Sequence, residues 1–381
     1  MCEGTATADQ WPRLVQVAHL QEMVDRLRRE RGVPVELVDL NGVSKDEALL
    51  VKLGERSMLV PLEGRTLFDL HDQPDSYSKD VGRGSYYIAP LPLRADVVVS
   101  LAKMKVHRAA GVTMAMKNLF GIIPSWDGPY GDNRLKDVPH YSDREAAGGP
   151  RTLYLDNDTT WRTIVDLNQI LLFADDRAQM HTDRQRRYLA IVDGLTAAGT
   201  DMFDPKAVPL GLLVVGDTPV GADAVAARLM GYDPRLIKSI AWAWSLGVTP
   251  LGPASPSLID VKVAGALTAN EVADGHMVVP PSAAPYPWHG HLEAGDFQPP
   301  EIDAPQLQGN ELQVVLKDGS GVAFARIVQT AGGQNVESEL GLVGGTASEG
   351  EWRGNLPSGS RDTMVLEVGD SLFNVRRRPL K

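Results

Sequence analysis

Apolar and polar positions alternate between two periods along the first two-thirds of the chain. In residues 14–29 the apolar side chains recur at spacings of three and four, which predicts an amphipathic helix. Further helices are predicted over 160–173 and after Asp217 and Asp233, and apolar runs predict strands over 35–40, 96–101, 187–194 and 210–217. Because helices and strands alternate and the strands are apolar in their middles, we expect an α/β fold, layered, with a mainly parallel sheet and flanking helices.

The pattern changes near residue 276. Residues 280–305 contain seven prolines, more than a helix or most strands tolerate. Beyond them, short apolar runs are separated by Gly, Ser and Asp turns, which predicts a small C-terminal all-β appendage. The sequence is therefore divided into an α/β domain of residues 1–275, a proline-rich linker of 276–305 and a small β domain of 306–381.

Composition narrows the function classes. The 381 residues carry a formal net charge of -11, which argues against nucleic acid and against an anionic membrane surface as partners. The single cysteine, Cys2, excludes a disulfide framework and a cysteine-ligated cluster held by this chain alone. No apolar run is long enough to span a membrane and no signal peptide is recognised, so we expect a cytoplasmic protein.

Positive charge is concentrated at the end of one predicted strand. Residues 103–121 read KMKVHRAAGVTMAMKNLFG, directly after the apolar run DVVVS. Lys103, Lys105 and His107 alternate, so they share one face if the strand continues through them. Open α/β sheets bind ligands at the carboxyl ends of their strands. We therefore expect a small anionic substrate here, bound by Lys103, Lys105, Thr113, Asn118 and Asp223; a solvated basic loop is the alternative.

Two residues of this stretch are candidates for catalysis. His107 titrates near neutrality without special tuning, as a general acid or base requires. Lys117 follows the small and apolar run AAGVTMAM, and a lysine in such surroundings has its charged form disfavoured, which suits a base or a nucleophile. An ordinary salt-bridged lysine explains the same pattern equally well.

Carboxylates elsewhere supply further candidates. Asp217 follows a strand and suits a helix cap, whereas Asp223 lies one turn into the helix and is expected either to pair with a lysine of the basic stretch or to bind metal. Asp166 and Asn168 face either the same cleft or solvent. The long polar segment 124–160 is typical of a lid. A metal site would use its histidine, His140, together with Asp217.

Four blocks of the chain resemble one family. The run DVVVSLAKMKVHRAAGVTMAMKNLFGIIP, followed by IVDLNQIL, AIVDGLTAAG and LLVVGDTPVGADAVAARLMGYDP, is similar to the family named only as domain of unknown function 362. The resemblance covers roughly residues 30–250. Members usually begin with a further strand and helix and often carry a cysteine-rich ferredoxin-like portion. The resemblance therefore implies that this chain lacks the first strand and helix or is missing an N-terminal piece, and the cysteine-rich portion has no counterpart in this sequence.

A more distant resemblance suggests chemistry. The nickel-pincer lactate racemase family has a pattern of spaced residues that is matched here by His107, Ala110, Gly111, Thr113, Lys117 and Gly121. This resemblance implies that His107 is the acid or base and that Lys117 holds a cofactor covalently. A later metal-binding histidine would correspond to His140 only after an insertion. The upstream phosphate-binding motif of the racemases is not found.

The sequence therefore predicts an enzyme that acts on a small carboxylate- or phosphate-bearing substrate by proton transfer, such as racemisation, isomerisation or elimination. A divalent metal or a lysine-linked cofactor remains open. One alternative is an anion-binding protein or structural subunit, and another is a redox protein working with an iron–sulfur partner. Whether the β appendage closes the site or makes a homo-oligomer is also open.

Overall fold

The architecture comes from a computed structural model. The structure describes residues 19–44, 46–59, 84–107, 109–124, 159–199, 207–253, 259, 300–319, 321–331, 334–370 and 375–380. The chain forms two compact units. The first comprises Met1–Asp223, Ile237–Gly252 and Pro285–Trp288, and the second comprises Ala224–Leu236, Pro253–Ala284 and His289–Lys381.

Helices and strands alternate first, and strands alone follow. The α-helices are α1 (Leu20–Arg31), α2 (Pro90–Arg94), α3 (Thr160–Phe173), α4 (Pro219–Leu229) and α5 (Lys238–Ala243). The 3₁₀ helices are Leu40–Gly42, Gly54–Arg56, Lys117–Ile122 and Arg361–Thr363. The strands before residue 300 are β1 (Leu49–Lys52), β2 (Ser85–Ile88), β3 (Val97–His107), β4 (Gly111–Thr113), β5 (Arg187–Ala198), β6 (Ala207–Val208) and β7 (Leu212–Gly216). Those after it are β8 (Glu301–Ile302), β9 (Gln306–Gln308), β10 (Glu311–Lys317), β11 (Val322–Ala331), β12 (Gln334–Glu339), β13 (Gly341–Gly345), β14 (Glu349–Asn355), β15 (Met364–Asp370) and β16 (Val375–Pro379).

The main sheet of the first unit is mixed. Its order is β4-β3-β5-β6, with β7 also paired to β5. Only β3 and β5 run parallel among these described strands, and the pairs β3/β4, β5/β6 and β5/β7 are antiparallel. The α/β class is confirmed, but the mainly parallel sheet is not. The reason is local: β4 pairs antiparallel with β3 in a hairpin, and both β6 and β7 pair antiparallel with β5.

Burial of this sheet is one-sided in the part of the chain that the structure describes. Along β3 the even-numbered residues from Ser100 to Val106 are buried, whereas Val97, Val99 and Leu101 are exposed. Strand β7 also exposes apolar side chains, at Leu213 and Val215. The composition of these apolar runs predicted strands that are covered on both faces. The described strands of this sheet are covered on one face only.

Helix α3 forms the centre of the hydrophobic core of the first unit. All but one of its residues are buried, which explains why its sequence is apolar on every side. The helix packs against α5 and against the 3₁₀ helix Lys117–Ile122. Trp161 of α3 stacks on Trp242 of α5 with ring centroids 5.6 Å apart. The helix predicted over 160–173 is thus confirmed.

The strand predicted over residues 35–40 is wrong. Residues 33–39 pair with no strand in the described part of the chain, and a 3₁₀ helix begins at Leu40. The side chain of Asp39 accepts the backbone N–H of Asn41 at 2.9 Å and so caps that turn. Arg28 of α1 donates to the carbonyl of Val35, which uses the backbone group that a strand would need.

The C-terminal region is all-β, as predicted. One sheet has the order β13-β14-β10-β8 with β9 paired to β10, and the other has the order β12-β11-β15-β16. Its core contains side chains with no solvent exposure, among them Leu312, Leu316, Ile327, Leu366 and Val368. None of the helices in the described ranges has the length and apolar character needed to cross a bilayer.

Candidate functional site

The basic stretch forms the end of one strand and a tight hairpin. Strand β3 continues through Lys103 and Lys105 to His107. Because successive side chains of a strand point to opposite faces, these three lie on the same face. Three residues connect His107 to Gly111, and the N–H of Ala110 donates to the carbonyl of His107 at 3.3 Å. Gly111 has a φ of 84°, a left-handed conformation that glycine adopts without strain and that closes three-residue hairpins.

Lys103 is neutralised within the sheet. It lies directly opposite Asp193 of β5, and its Nζ is 2.5 Å from Asp193 Oδ2. Burial acts to raise the pKa of Asp193, but hydrogen bonds from Lys103 and from the N–H of Leu195 outweigh it and the pKa is lowered. The place of Asp193 before Gly194 at a strand end reads in sequence as that of a turn residue, and the structure adds its ion pair with Lys103. The position of Asp193 at the end of an apolar run, like that of Lys103, was the available signal for this pair.

Lys105 keeps its charge available. This half-buried lysine lies between Thr113 of β4 and Ala198 of β5, and no hydrogen bond or ion pair reaches its side chain from the residues the structure describes. The buried Oγ1 of Thr113 likewise has no hydrogen-bond partner. Directly opposite residues of an antiparallel pair have Cβ atoms about 5 Å apart. A cation and an unused hydroxyl thus stand side by side.

His107 is buried with a defined hydrogen-bond arrangement. Its Nδ1 accepts the backbone N–H of Ala109 at 3.1 Å. An imidazole that accepts at Nδ1 carries its proton on Nε2 when it is neutral. The cross-strand neighbour of His107 is Gly111.

The turn before Lys117 is held by two buried side chains. Asp223 of α4 accepts the N–H of Ala115 at 2.8 Å and that of Met116 at 3.0 Å. Asn168 of α3 donates to the carbonyl of Met116 at 3.0 Å. Both sides of Met116 are thereby fixed by side chains from two helices, and we call this arrangement the Met116 clamp (Asn168, Asp223 and the backbone of 115–116).

Burial dominates the electrostatics of the clamp. Asp223 is 2% exposed, and burial raises the pKa of its carboxyl to about 7 although the two N–H donors lower it. No contact joins Asp223 to Lys103 or Lys105 in the described residues, so the expected lysine pair is instead formed by Asp193. A role of Asp223 toward substrate stays a prediction.

Lys117 and Asn118 open the 3₁₀ helix that follows the clamp. Lys117 is 9% exposed, and its Nζ lies 5.0 Å from the centre of the Phe120 ring. Asn118 donates from Nδ2 to Ser100 Oγ at 3.0 Å, which ties the 3₁₀ helix to β3. The predicted substrate contact of Asn118 is untested, and its side chain has this structural role.

A second buried carboxylate lies on α3. Asp166 accepts hydrogen bonds from Ser57 Oγ at 2.5 Å, Tyr86 OH at 2.8 Å and the N–H of Met58 at 2.8 Å. Burial raises its pKa to about 7. Asp166 and Asn168 are both fully buried, so solvent exposure is excluded for both. Polar residues inside an otherwise apolar helix were the sequence signal.

The predicted metal site is not assembled within the described ranges. No three His, Cys, Asp or Glu side chains there are grouped as metal ligands would be. Asp217 is exposed after β7, and His140 lies outside the described residues, as does most of the predicted lid. A metal and a lysine-linked cofactor therefore stay predictions.

The sequence profile described as "Domain of unknown function (DUF362)" matches residues 6–228. The chain belongs to this family. No curated protein and no solved structure matches it. The DUF362 match includes the hairpin, the Met116 clamp and Asp193, whereas the C-terminal all-β region lies beyond it. The candidate site is thus built entirely from the family portion of the chain.

Proposed function

We propose that this DUF362 chain is an enzyme that acts on a small anionic substrate by proton transfer. The proton is bound to a carbon next to a carboxylate or carbonyl. Lys105 and Thr113 receive the anion, and His107 is the acid that donates from Nε2. Lys117 is the second reactive group, either as the amine that takes the carbon-bound proton or as the anchor of a cofactor. Racemisation, isomerisation and elimination all use such a set.

The hydrogen bond from the N–H of Ala109 to His107 Nδ1 carries this proposal. Protonation of Nδ1 would place two N–H groups against each other, so the contact favours the neutral ring with its proton on Nε2. A neutral imidazole donor near a substrate oxygen stabilises the negative charge that develops there when a neighbouring carbon loses its proton. His107 is thereby suited to the acid role.

The anion site supports the same reading. Lys105 is unpaired among the described residues and Thr113 Oγ1 is buried without a partner, so both gain interactions when an oxyanion arrives. His107 follows two positions after Lys105 on the same face of β3, about 7 Å along the strand. That separation allows one small molecule to contact both side chains.

Hydrogen exchange tests the proposal without knowledge of the product. The protein is incubated in D₂O with a panel of small 2-hydroxy, 2-amino and 2-oxo acids, and loss of the proton signal next to the carboxylate is followed by NMR. We expect exchange with at least one class of acid. In His107→Gln the exchange rate is expected to fall more than about a hundredfold, as for removal of a general acid.

A matched histidine serves as control. His181 pairs with Asp175 on the surface, and His181→Gln is expected to exchange at the wild-type rate. Ligand binding by His107→Gln, measured by calorimetry, should stay close to wild type, because Lys105 still holds the anion. Exchange that survives in His107→Gln would overturn the acid role. Binding without exchange in the wild-type protein would favour the anion-binding alternative.

A further inference from the structure

The face that carries Lys103, Lys105 and His107 holds fewer free charges than its sequence suggests. Lys103 Nζ is 2.5 Å from Asp193 Oδ2, so this pair contributes no net charge. Lys105 is the neighbouring lysine on the same face, and within the described residues it has no ion pair. Among the described residues of this face, one positive charge, that of Lys105, and the Thr113 hydroxyl are therefore available to a ligand.

We propose that Asp193 is a specificity-determining residue, which restricts the site of Lys105 and Thr113 to anions with a single negative charge by neutralising Lys103. This inference rests on the anion site of the proposed function but not on proton transfer. It favours a carboxylate as the recognised group over a phosphate ester, whose two charges call for a second cation.

Lys103 is close enough to Lys105 to bind the same ligand when Asp193 does not neutralise it. Lys103 and Lys105 are separated by about 7 Å along β3, within reach of one ligand for two flexible side chains. The pair with Asp193 is partly exposed, with 43% and 28% of the two side chains accessible, so Lys103 is free to reorient once Asp193 loses its charge. The attraction of a freed ammonium group for a dianion is twice that for a monoanion.

Substitution of Asp193 tests the inference directly. Asp193→Asn removes the charge, and the remaining Oδ1 still accepts the N–H of Leu195, so the strand end is preserved. Binding of propanoate and of methyl phosphate is measured by calorimetry at low ionic strength and about pH 8, where a phosphate monoester carries close to two charges. We expect Asp193→Asn to shift the affinity ratio toward methyl phosphate by about tenfold.

Three further variants separate the possible results. The double variant Asp193→Asn with Lys103→Gln is expected to return the affinity ratio to the wild-type value, because the freed cation is gone. Asp183→Asn, an exposed carboxylate with the same change in net charge, is expected to leave the ratio unchanged. Lys105→Gln is expected to weaken both anions at least tenfold.

Failure of the inference and failure of the proposed site give different patterns. An unchanged ratio in Asp193→Asn, with both anions still lost in Lys105→Gln, overturns the role of Asp193 and leaves the anion site standing. A ratio that shifts equally in Asp183→Asn also overturns it, since long-range charge then explains the effect. Anion affinity that is unaffected by Lys105→Gln overturns the site itself.

Discussion

At the scale of single residues, the two buried side chains of the Met116 clamp, Asn168 and Asp223, form hydrogen bonds with backbone groups next to the site. Asp223 satisfies two N–H groups at the start of the 3₁₀ helix, where they have no intrahelical acceptor. Asn168 donates a hydrogen bond to the carbonyl of Met116, the residue before Lys117. The orientation of Lys117 is thus set by residues that lie 51 and 106 positions away from it in sequence. These residues position the site without being required to touch a ligand.

The carboxyl of Asp223 gives a pH-dependent stability. Its pKa of about 7 in the folded protein exceeds the ordinary value of 3.8, so the folded state binds this proton more tightly than the unfolded state. The stability that this group contributes is complete below about pH 4 and is lost as pH rises through about 7. In Asp223→Asn the free energy of unfolding should therefore decline less between about pH 5 and about pH 8 than in wild type.

Urea denaturation at the two pH values measures this difference. At the lower pH the variant should be less stable by about 1–3 kcal/mol, because one N–H donor of the turn then faces an amide NH₂ group. Asp217→Asn, at an exposed carboxylate, is the control and should follow wild type. Asp166 is present in all three proteins, so its contribution to the pH dependence of stability cancels in the comparison. Equal pH slopes in Asp223→Asn and wild type would contradict the prediction.

At the scale of elements, periodicity predicted most of what depends on local sequence. Helix α3 has the predicted ends, and β3 begins one residue after the predicted start and continues through the basic stretch. Residues 35–40 show where this reasoning fails. Their composition favours a strand, but no described strand pairs with them, since strand formation depends on a neighbour that the sequence does not specify locally.

The site was predictable only in part for the same reason. Lys105, His107 and Thr113 lie close in sequence, so alternation along a strand and a hairpin is enough to place them on one face. The partner of Lys103 depends on the register between β3 and β5, which are 90 residues apart at the Lys103–Asp193 pair. Asn168 depends on how α3 packs on the turn, and side-chain patterns do not encode that packing.

Two buried tyrosines provide a test of the polar network around α3. Tyr86 donates to Asp166 at 2.8 Å, whereas the buried hydroxyl of Tyr188 has a weak contact with Ser100 and no hydrogen bond of ordinary geometry among the described residues. At about pH 8, above the pKa of about 7 of Asp166, Tyr86→Phe should lower the free energy of unfolding by about 1.5–3 kcal/mol, the usual contribution of a hydrogen bond to a charged group. Tyr188→Phe should be neutral or stabilising, because it removes a buried polar atom that gains little. Chemical denaturation of both variants measures this, and equal losses would contradict it.

At the scale of the whole molecule, the C-terminal strands have a core of their own. Among the described residues, the side chains of this core come from the range 302–380: Ile302, Leu307, Leu312, Val314, Leu316, Val322, Ala325, Ile327, Leu340, Trp352, Leu356, Met364, Leu366, Val368 and Leu380. The region also holds a buried carboxylate, Glu367, between Arg326 at 2.5 Å and Arg377 at 2.6 Å. Burial acts to raise the pKa of Glu367, but the two arginines lower it on balance. All of these interactions lie between residues 302 and 380.

A protein of residues 300–381 should therefore fold alone. Burial of the apolar side chains of this core supplies the main driving force, and a chain of about 80 residues is long enough for independent folding. We expect a dispersed NMR spectrum and one cooperative transition in urea. Ile327→Ala, at a residue with no exposure, should cost about 2–5 kcal/mol, whereas Val343→Ala, at a residue that is 56% exposed, should cost little. A collapsed spectrum without a cooperative transition would show that these strands need further parts of the chain, beginning with the other segments of the same compact unit, Ala224–Leu236 and Pro253–Ala284.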